Sequence, residues 1–354
     1  MAQKVRKGEE LNEQPLKDFL HKNGLIEDST SELNVSQFST GFSNLTYLLE
    51  IENKELVLRR PPVGAIKRGH DMGREFKVLT GLNKEFSKAP IAYVYTEEAD
   101  IIGASFYIME KVDGIILSMN EALKRQISPS EFPIIADSWL DTFVELHDLD
   151  YEAVGLGDLG RPEGYVERQV RNWGKQYLKA ATDDIPAAEA VMKWLYQKQP
   201  TEYSHSLIHN DYKYDNVVFK DETWTEVRAV LDWEMCTLGD PLMDLGMSTA
   251  YWSMMEDGPM VTKGLPSPTT MPGNPTRTEM VEMYAQKSGR SINNLVFYYA
   301  FGLFKLAVIV QQIYYRYHKG MTSDERFKDL NKATQLFCTM AWQAIQKNRI
   351  EKLF

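Results

Sequence analysis

LIHNDYKYDNVVFK, residues 207–220, places a histidine, two aspartates, an asparagine and a lysine between flanks of β-branched and aromatic residues. The flanks have the composition of two short buried strands, which puts the polar cluster in the loop between them. A loop fixed by two strands is a place where reactive side chains can be held in register. Working outward, His209, Asp211 and Asn216 have the spacing H-x-D-x-x-x-x-N, and Asp232 follows 21 residues after Asp211, at the end of the apolar run AVLD.

Phosphoryl transfer needs these residue types at such spacing. One carboxylate accepts the proton of the attacking hydroxyl, while an amide oxygen and a second carboxylate hold magnesium against the nucleotide phosphates. Lys213 would reach toward the γ-phosphate and neutralise charge that develops during transfer. The plain alternatives for Lys213 are a solvated loop lysine or a counter-charge between Asp211 and Asp215.

The rest of the chain is consistent with such an enzyme. It has 354 residues, 43% hydrophobic and 25% charged, enough for two cores. The formal net charge of -10 offers no general field for nucleic acid or an anionic membrane, so any phosphate must be held locally. Two cysteines, Cys236 and Cys338, form no CxxC and predict no disulfide framework, which fits a reducing cytoplasm. The N-terminal stretch MAQKVRKGEELNEQPLKDFL is charged throughout and lacks the apolar segment of a secretory signal. The apolar run Leu295 to Val310 is broken by Lys305 and followed by two glutamines, which predicts a buried core helix and no membrane insertion.

Between Leu33 and Leu117 the segments NVSQFST, LTYLLEI, ELVLRRP, IAYVYTE and SFYIMEKV alternate as antiparallel strands do. One helix, around MGREFKVLTGLNKEF, carries Phe76, Leu79, Leu82 and Phe86 on an apolar stripe with Glu75 beside it. After KVDG the chain turns to long helices, so the expected division is 1–111 and 112–354. The Pro- and Gly-rich stretch 257–275 reads as a lid or a disordered connector. It closes at TRTE, where Thr276 and Glu279 have capping-box spacing.

HNDYKYDN and LDWE resemble the catalytic loop and metal-binding segment of the aminoglycoside phosphotransferase/choline kinase family of small-molecule kinases. FSTGFSNLTY, LVLRRPP, REFKVL, GLGDLGRPEGYVERQVRNW, LDWEMCTLGDPLMDLG and NPTR extend the likeness over nearly the whole chain. The branch most resembled is the kinase-like domain fused to certain acyl-CoA dehydrogenases. The resemblance implies an α+β, two-lobed protein-kinase-like fold, with a small antiparallel-sheet lobe bearing one helix and a larger, mainly helical lobe. It implies ATP and magnesium as cofactors and a small-molecule hydroxyl as acceptor.

Carried over residue by residue, Asp211 would be the base, and Asn216 and Asp232 magnesium ligands, with Glu234 as a further ligand or a solvated acid. Arg59 stands where the family has a phosphate-binding lysine, with Glu75 as its helix partner. An arginine offers a permanent charge and a fork in place of a point charge. Ser39, Gly41, Ser43 and Asn44 would cover the phosphates, and Met109, Glu110 and Val112 would form the hinge that reads adenine. Asp240 and Asp244 are expected to pin loops, and His209 and His147 to support structure.

Arg168, Arg171 and Trp173 are candidates for an anionic group on the acceptor, for which a hydroxyacyl-CoA is the expectation. The competing readings are a pseudokinase or nucleotide-binding scaffold, for which Arg59 argues, and an aminoglycoside kinase. A protein kinase would need an A-P-E segment, which does not follow LDWE. A metal-dependent hydrolase would use His205, His209 and Asp211, but on a strand the two histidines would stand about 13 Å apart.

Overall fold

The structure is a computed structural model, and it describes residues 2–38, 44–62, 71–264, 266–322 and 324–354. The chain forms two compact units. The first comprises Met1–Gly114, Glu152–Leu156 and Arg228–Cys236; the second comprises Ile115–Tyr151, Gly157–Val227 and Thr237–Phe354. Sequence composition suggests a single cut near residue 112, whereas the contacts return two later segments to the first unit. One of them carries Asp232 and Glu234.

In the first unit a sheet is built from β1 (Ala2–Gln3), β2 (Asn34–Phe38), β3 (Leu45–Ile51), β4 (Lys54–Arg60), β5 (Ala92–Thr96) and β6 (Phe106–Glu110). Their order is β1-β2-β3-β4-β6-β5, with every recorded pairing antiparallel. The helix anticipated from sequence is α2 (Met72–Leu82), capped by Asp71, whose side chain accepts the Arg74 N–H. Two more helices join it: α1 (Glu13–Lys22), before the strand-rich stretch, and the single turn α3 (Ala99–Ile102).

Strand alternation sends successive side chains to opposite faces. Leu56 and Leu58 of β4 join Tyr47, Leu49, Phe106 and Ile108 in a core that α1 closes with Leu16 and Leu20. Arg59 therefore points the other way, toward α2.

In the second unit the elements are β7 (Ile115–Ile116), α4 (Met119–Arg125), α5 (Phe132–Asp148), α6 (Tyr165–Ala180), α7 (Pro186–Gln197), β8 (Ser206–Ile208) and β9 (Val217–Phe219). The strand β10 (Val227–Val230) carries the chain out of this unit, and β11 (Thr237–Gly239) brings it back. There follow α8 (Pro241–Tyr251), α9 (Pro259–Gly264), α10 (Arg277–Ser288), α11 (Leu295–His318) and α12 (Leu330–Lys347).

The apolar run forms most of α11. This is the one helix among the described residues long and apolar enough to cross a membrane, and 72% of its most apolar stretch is buried inside the protein, against α8, α12, α6 and α7. Stretch 257–275 is not a bare loop. It contains α9 and a turn at Pro268–Thr270, its Thr269 hydroxyl donates to the Ser253 carbonyl at 2.9 Å, and its Asp257 pairs with the buried Arg277. The capping box that ends it forms as expected: the Thr276 N–H donates to Glu279 at 2.7 Å, and the Glu279 N–H to the Thr276 hydroxyl at 3.2 Å.

Candidate active site

Both flanks of residues 207–220 are strands, but they do not pair with each other. β8 pairs with β11, and β9 with β7, so the loop is tied down by two separate ladders. Inside it the polar and aromatic residues divide by direction. Tyr212 and Tyr214 turn into the helical core: Tyr212 stacks on Phe143 with centroids 4.1 Å apart, and its hydroxyl donates to the Trp139 carbonyl at 2.8 Å. Tyr214 lies against Trp139 and Trp252. These anchors leave Asp211 and Lys213 on the partly open side.

Asp244 at the start of α8 clamps the backbone just ahead of Asp211. Its fully buried carboxylate accepts the His209 N–H at 2.6 Å and the Asn210 N–H at 2.7 Å. His147 Nε2 lies 3.3 Å from the same carboxylate, and Nδ1 lies 2.8 Å from the Tyr284 hydroxyl. Burial pushes His147 below its ordinary range, so it is neutral; Nε2 then carries the proton and Nδ1 accepts from Tyr284. Burial opposes the charge of Asp244, yet the hydrogen bonds it accepts hold its carboxyl below the usual value. Asp240 caps α8 by accepting the Leu242 N–H at 2.9 Å, and burial pushes its carboxyl up to about 6. Asp244, His147 and His209 thus support the loop, His209 through Nδ1, which accepts the Asp211 N–H at 3.2 Å, while Asp240 caps α8.

Asp211 itself is part-exposed. Its carboxylate accepts from Lys213 Nζ at 2.8 and 3.0 Å and from Asn216 Nδ2 at 2.8 Å. One turn of 3-10 helix, Tyr214–Asn216, brings Asn216 back over the Asp211 side chain, where Nδ2 also meets the Asp211 carbonyl at 2.8 Å. Both N–H bonds of the Asn216 amide are then spent on Asp211, which leaves its oxygen as the group available to a cation. Lys213 is the counter-ion of Asp211 and lies 4.7 Å from the centre of the Tyr251 ring.

A second constellation belongs to the first unit. Arg59 is 8% exposed. Its Nη1 donates to Glu75 at 2.6 Å and its Nη2 to Asp232 at 3.1 Å, with Glu234 at 3.8 Å from Nη2. Its neighbour Arg60 goes to the opposite face and donates to the Ile102 carbonyl at 2.9 Å. Burial opposes the charge of Arg59, but the surrounding carboxylates raise its pKa further. Asn44 Nδ2 donates to Glu234 at 2.8 Å. Asp232 has φ +67°, a left-handed conformation that an aspartate adopts at some cost. Phe86 meets the Trp233 ring edge-on and helps seat this turn against the end of α2.

Three carboxylates face one guanidinium here, three negative charges against one positive. Glu75 is spent on Arg59, and among the described residues no group of three or more His, Cys, Asp or Glu side chains is arranged to hold a metal ion.

The hinge candidates lie at the end of β6 and beyond it. Met109 is buried, the Glu110 N–H donates to the Ile91 carbonyl at 2.8 Å, and Val112 lies in unpaired chain before β7. Arg168 is committed to the carbonyls of Arg161 and Glu163, Arg171 is exposed, and Trp173 Nε1 donates to Gln169 at 3.0 Å. Ser39, Gly41 and Ser43 lie outside the described residues. Sequence reasoning passed over Lys305, which donates to Asn210 Oδ1 at 3.2 Å. Its only signal in the sequence was a lone charge in an apolar run.

An antiparallel-sheet unit with a buried Arg–Glu pair and a helical unit with an H-x-D-x-x-x-x-N loop define a protein-kinase-like fold. Residues 34–265 match the profile of the phosphotransferase enzyme family, and the chain belongs to that family. Acyl-CoA dehydrogenase family member 10 of Mus musculus is 33% identical over 345 residues, covering 97% of this chain and 32% of that protein. Family member 11 of Rattus norvegicus is 36% identical, over 86% of this chain and 39% of that protein. The chain thus spans about a third to two-fifths of the curated relatives it matches.

Among solved structures, a candidate aminoglycoside phosphotransferase from Ralstonia eutropha superposes with a TM-score of 0.81 at 32% identity, covering 96% of this chain and 99% of that one. A thermostable mutant of the aminoglycoside phosphotransferase APH(4)-Ia, solved with AMP-PNP and hygromycin B, shares the fold with a TM-score of 0.59 at 13% identity, over 93% and 98% of the two chains.

Proposed function

We propose that the protein transfers the γ-phosphoryl group of magnesium-bound ATP to a hydroxyl of a small molecule. The observation that carries this reading is Asp211: a part-exposed carboxylate aimed by Asn216 and Lys213, in a loop whose backbone a buried aspartate clamps. In this reading Asp211 accepts the hydroxyl proton while the hydroxyl oxygen bonds to the γ-phosphorus. The bond from that phosphorus to the β,γ-bridging oxygen breaks, and ADP leaves with its electron pair. Lys213 balances charge beside the base, and Arg59 grips phosphate oxygens. By the family resemblance, Asp232 and Glu234 in the first unit and the Asn216 oxygen in the second are the groups that would hold magnesium, which would supply charge neutralisation at the phosphates. The AMP-PNP complex of a fold neighbour supports the choice of nucleotide.

For the acceptor we favour a hydroxyacyl-CoA or a related metabolite over an aminoglycoside, because the curated relatives are acyl-CoA dehydrogenase family members. The rival reading, a nucleotide-binding scaffold without turnover, draws on Arg59 in place of lysine. The base and its two aiming partners weigh against it, since removal of a single part of such a site commonly costs orders of magnitude in rate.

The test is ADP release with magnesium-ATP across hydroxyacyl-CoA, choline and aminoglycoside acceptors, with the phosphorylated product read by phosphorus NMR. Asp211→Asn is expected to keep nucleotide binding, seen as a thermal shift, and to lose transfer by at least about a thousandfold. Turnover retained in that variant would sink the assignment of the base.

A further inference from the structure

Lys305 lies at the middle of α11, 3% exposed, where its neighbours Phe304 and Leu306 are apolar and buried. An ammonium has three N–H donors and a full charge. Among the described residues this one makes a single hydrogen bond, to Asn210 Oδ1 at 3.2 Å, and no carboxylate lies within ion-pairing distance. The Trp173 ring faces it at 5.5 Å, and the Tyr165 hydroxyl reaches the same Asn210 oxygen at 3.4 Å. A buried, incompletely paired cation costs stability, and such a cost persists where function needs the group.

What it holds is the residue immediately before Asp211. Asn210 has φ +67°, a left-handed turn, and its N–H is fixed by Asp244. Backbone and side chain of Asn210 are thus gripped from two helices, α8 and α11.

We propose that Lys305 is a positioning residue for phosphoryl transfer: its ammonium locks Asn210 in the left-handed turn that aims Asp211. This rests on Asp211 being the base. The groups around Lys305 are consistent with it. The charges it feels are Asp244, from α8, and Asp211, from the loop; α6 presents Tyr165 and Trp173, and neither α7 nor α12 adds a charge that moves it. Burial pushes its pKa down to about 8.

Because the folded value lies below the ordinary one, the charged lysine costs stability below about pH 8. That cost fades as pH rises from there toward the unfolded value.

The experiment uses the full chain with magnesium-ATP and water as acceptor, following ADP release from about pH 6.5 to 9.5, together with melting temperatures. Wild type is expected to lose kcat through an alkaline limb near pH 8. Lys305→Met is expected to lose that limb, to fall roughly tenfold to a hundredfold in kcat with the KM for ATP unchanged, and to melt higher than wild type. Lys305→Arg should keep activity and move the limb upward out of range.

A Met variant that melts lower, with wild-type kcat and pH profile, overturns the proposal and leaves a structural cation. If the Met variant does not fold, the wild-type profile and the Arg variant decide: a profile flat through pH 8 in both overturns it. Asp211→Asn with undiminished ADP release instead overturns the base, and this proposal with it. An inactive Asp211→Asn beside an unaffected Lys305→Met overturns this proposal alone.

Discussion

The least expected single residue is Arg59, standing where the resembled kinases have a lysine. Its fork spans two acids at once, Glu75 at 2.6 Å and Asp232 at 3.1 Å, which a lysine's compact ammonium cannot do with the same geometry. Glu75 is 2% exposed, so removing its cation would strand a buried charge. Arg59→Met should therefore destabilise the protein by about 3–5 kcal/mol and abolish nucleotide binding, whereas Arg59→Lys should keep the Glu75 pair, recover most of the stability and bind ATP weakly. Urea unfolding and nucleotide titration measure both; a Met variant as stable as wild type would show that the pair contributes nothing. In the sequence, RR at positions 59 and 60 leaves open which arginine is buried at the site, because alternation fixes that the two faces differ but not which face α2 covers.

At the level of elements, the loop that bears Asp211 depends on α8, and α8 depends on how closely it meets α11. The two helices approach through glycines. A Cβ at Gly302 would lie 2.4 Å from the Gly246 carbonyl oxygen, and one at Gly246 would lie 2.4 Å from that of Tyr298. Both obstacles are backbone, so the helices themselves must separate. Gly302→Ala is expected to cost about 1–3 kcal/mol, read by chemical denaturation. It should also lower ADP release, because Asp244 and Lys305 ride on the two helices that would part. A variant with unchanged stability would mean that the crossing is looser than it stands here.

For the molecule as a whole, ligand binding offers the broadest check. Magnesium-ATP at about 100 times its dissociation constant should add roughly 2.7 kcal/mol of stability, and Asp232→Asn should lose the magnesium-dependent part. An equal shift in both proteins would remove Asp232 from the metal site.

At this scale the sequence alone was enough for the strands from β2 to β6, the helices α2, α5, α6 and α7, the Thr276–Glu279 cap and the two strands that flank the polar loop 209–216. Each of these is written in local periodicity or in residue types at fixed spacing, which short-range sterics and hydrogen bonding enforce. The tertiary structure alone decided what depends on which distant segments pack together. It returned Asp232 and Glu234 to the unit of Arg59, paired β8 with β11, turned Tyr212 and Tyr214 into the core, and set Lys305 against Asn210, 95 residues away in sequence. Burial and long-range contact carry no local signature, so a lone lysine in an apolar run reads as an interruption until the helix that bears it is packed against the loop.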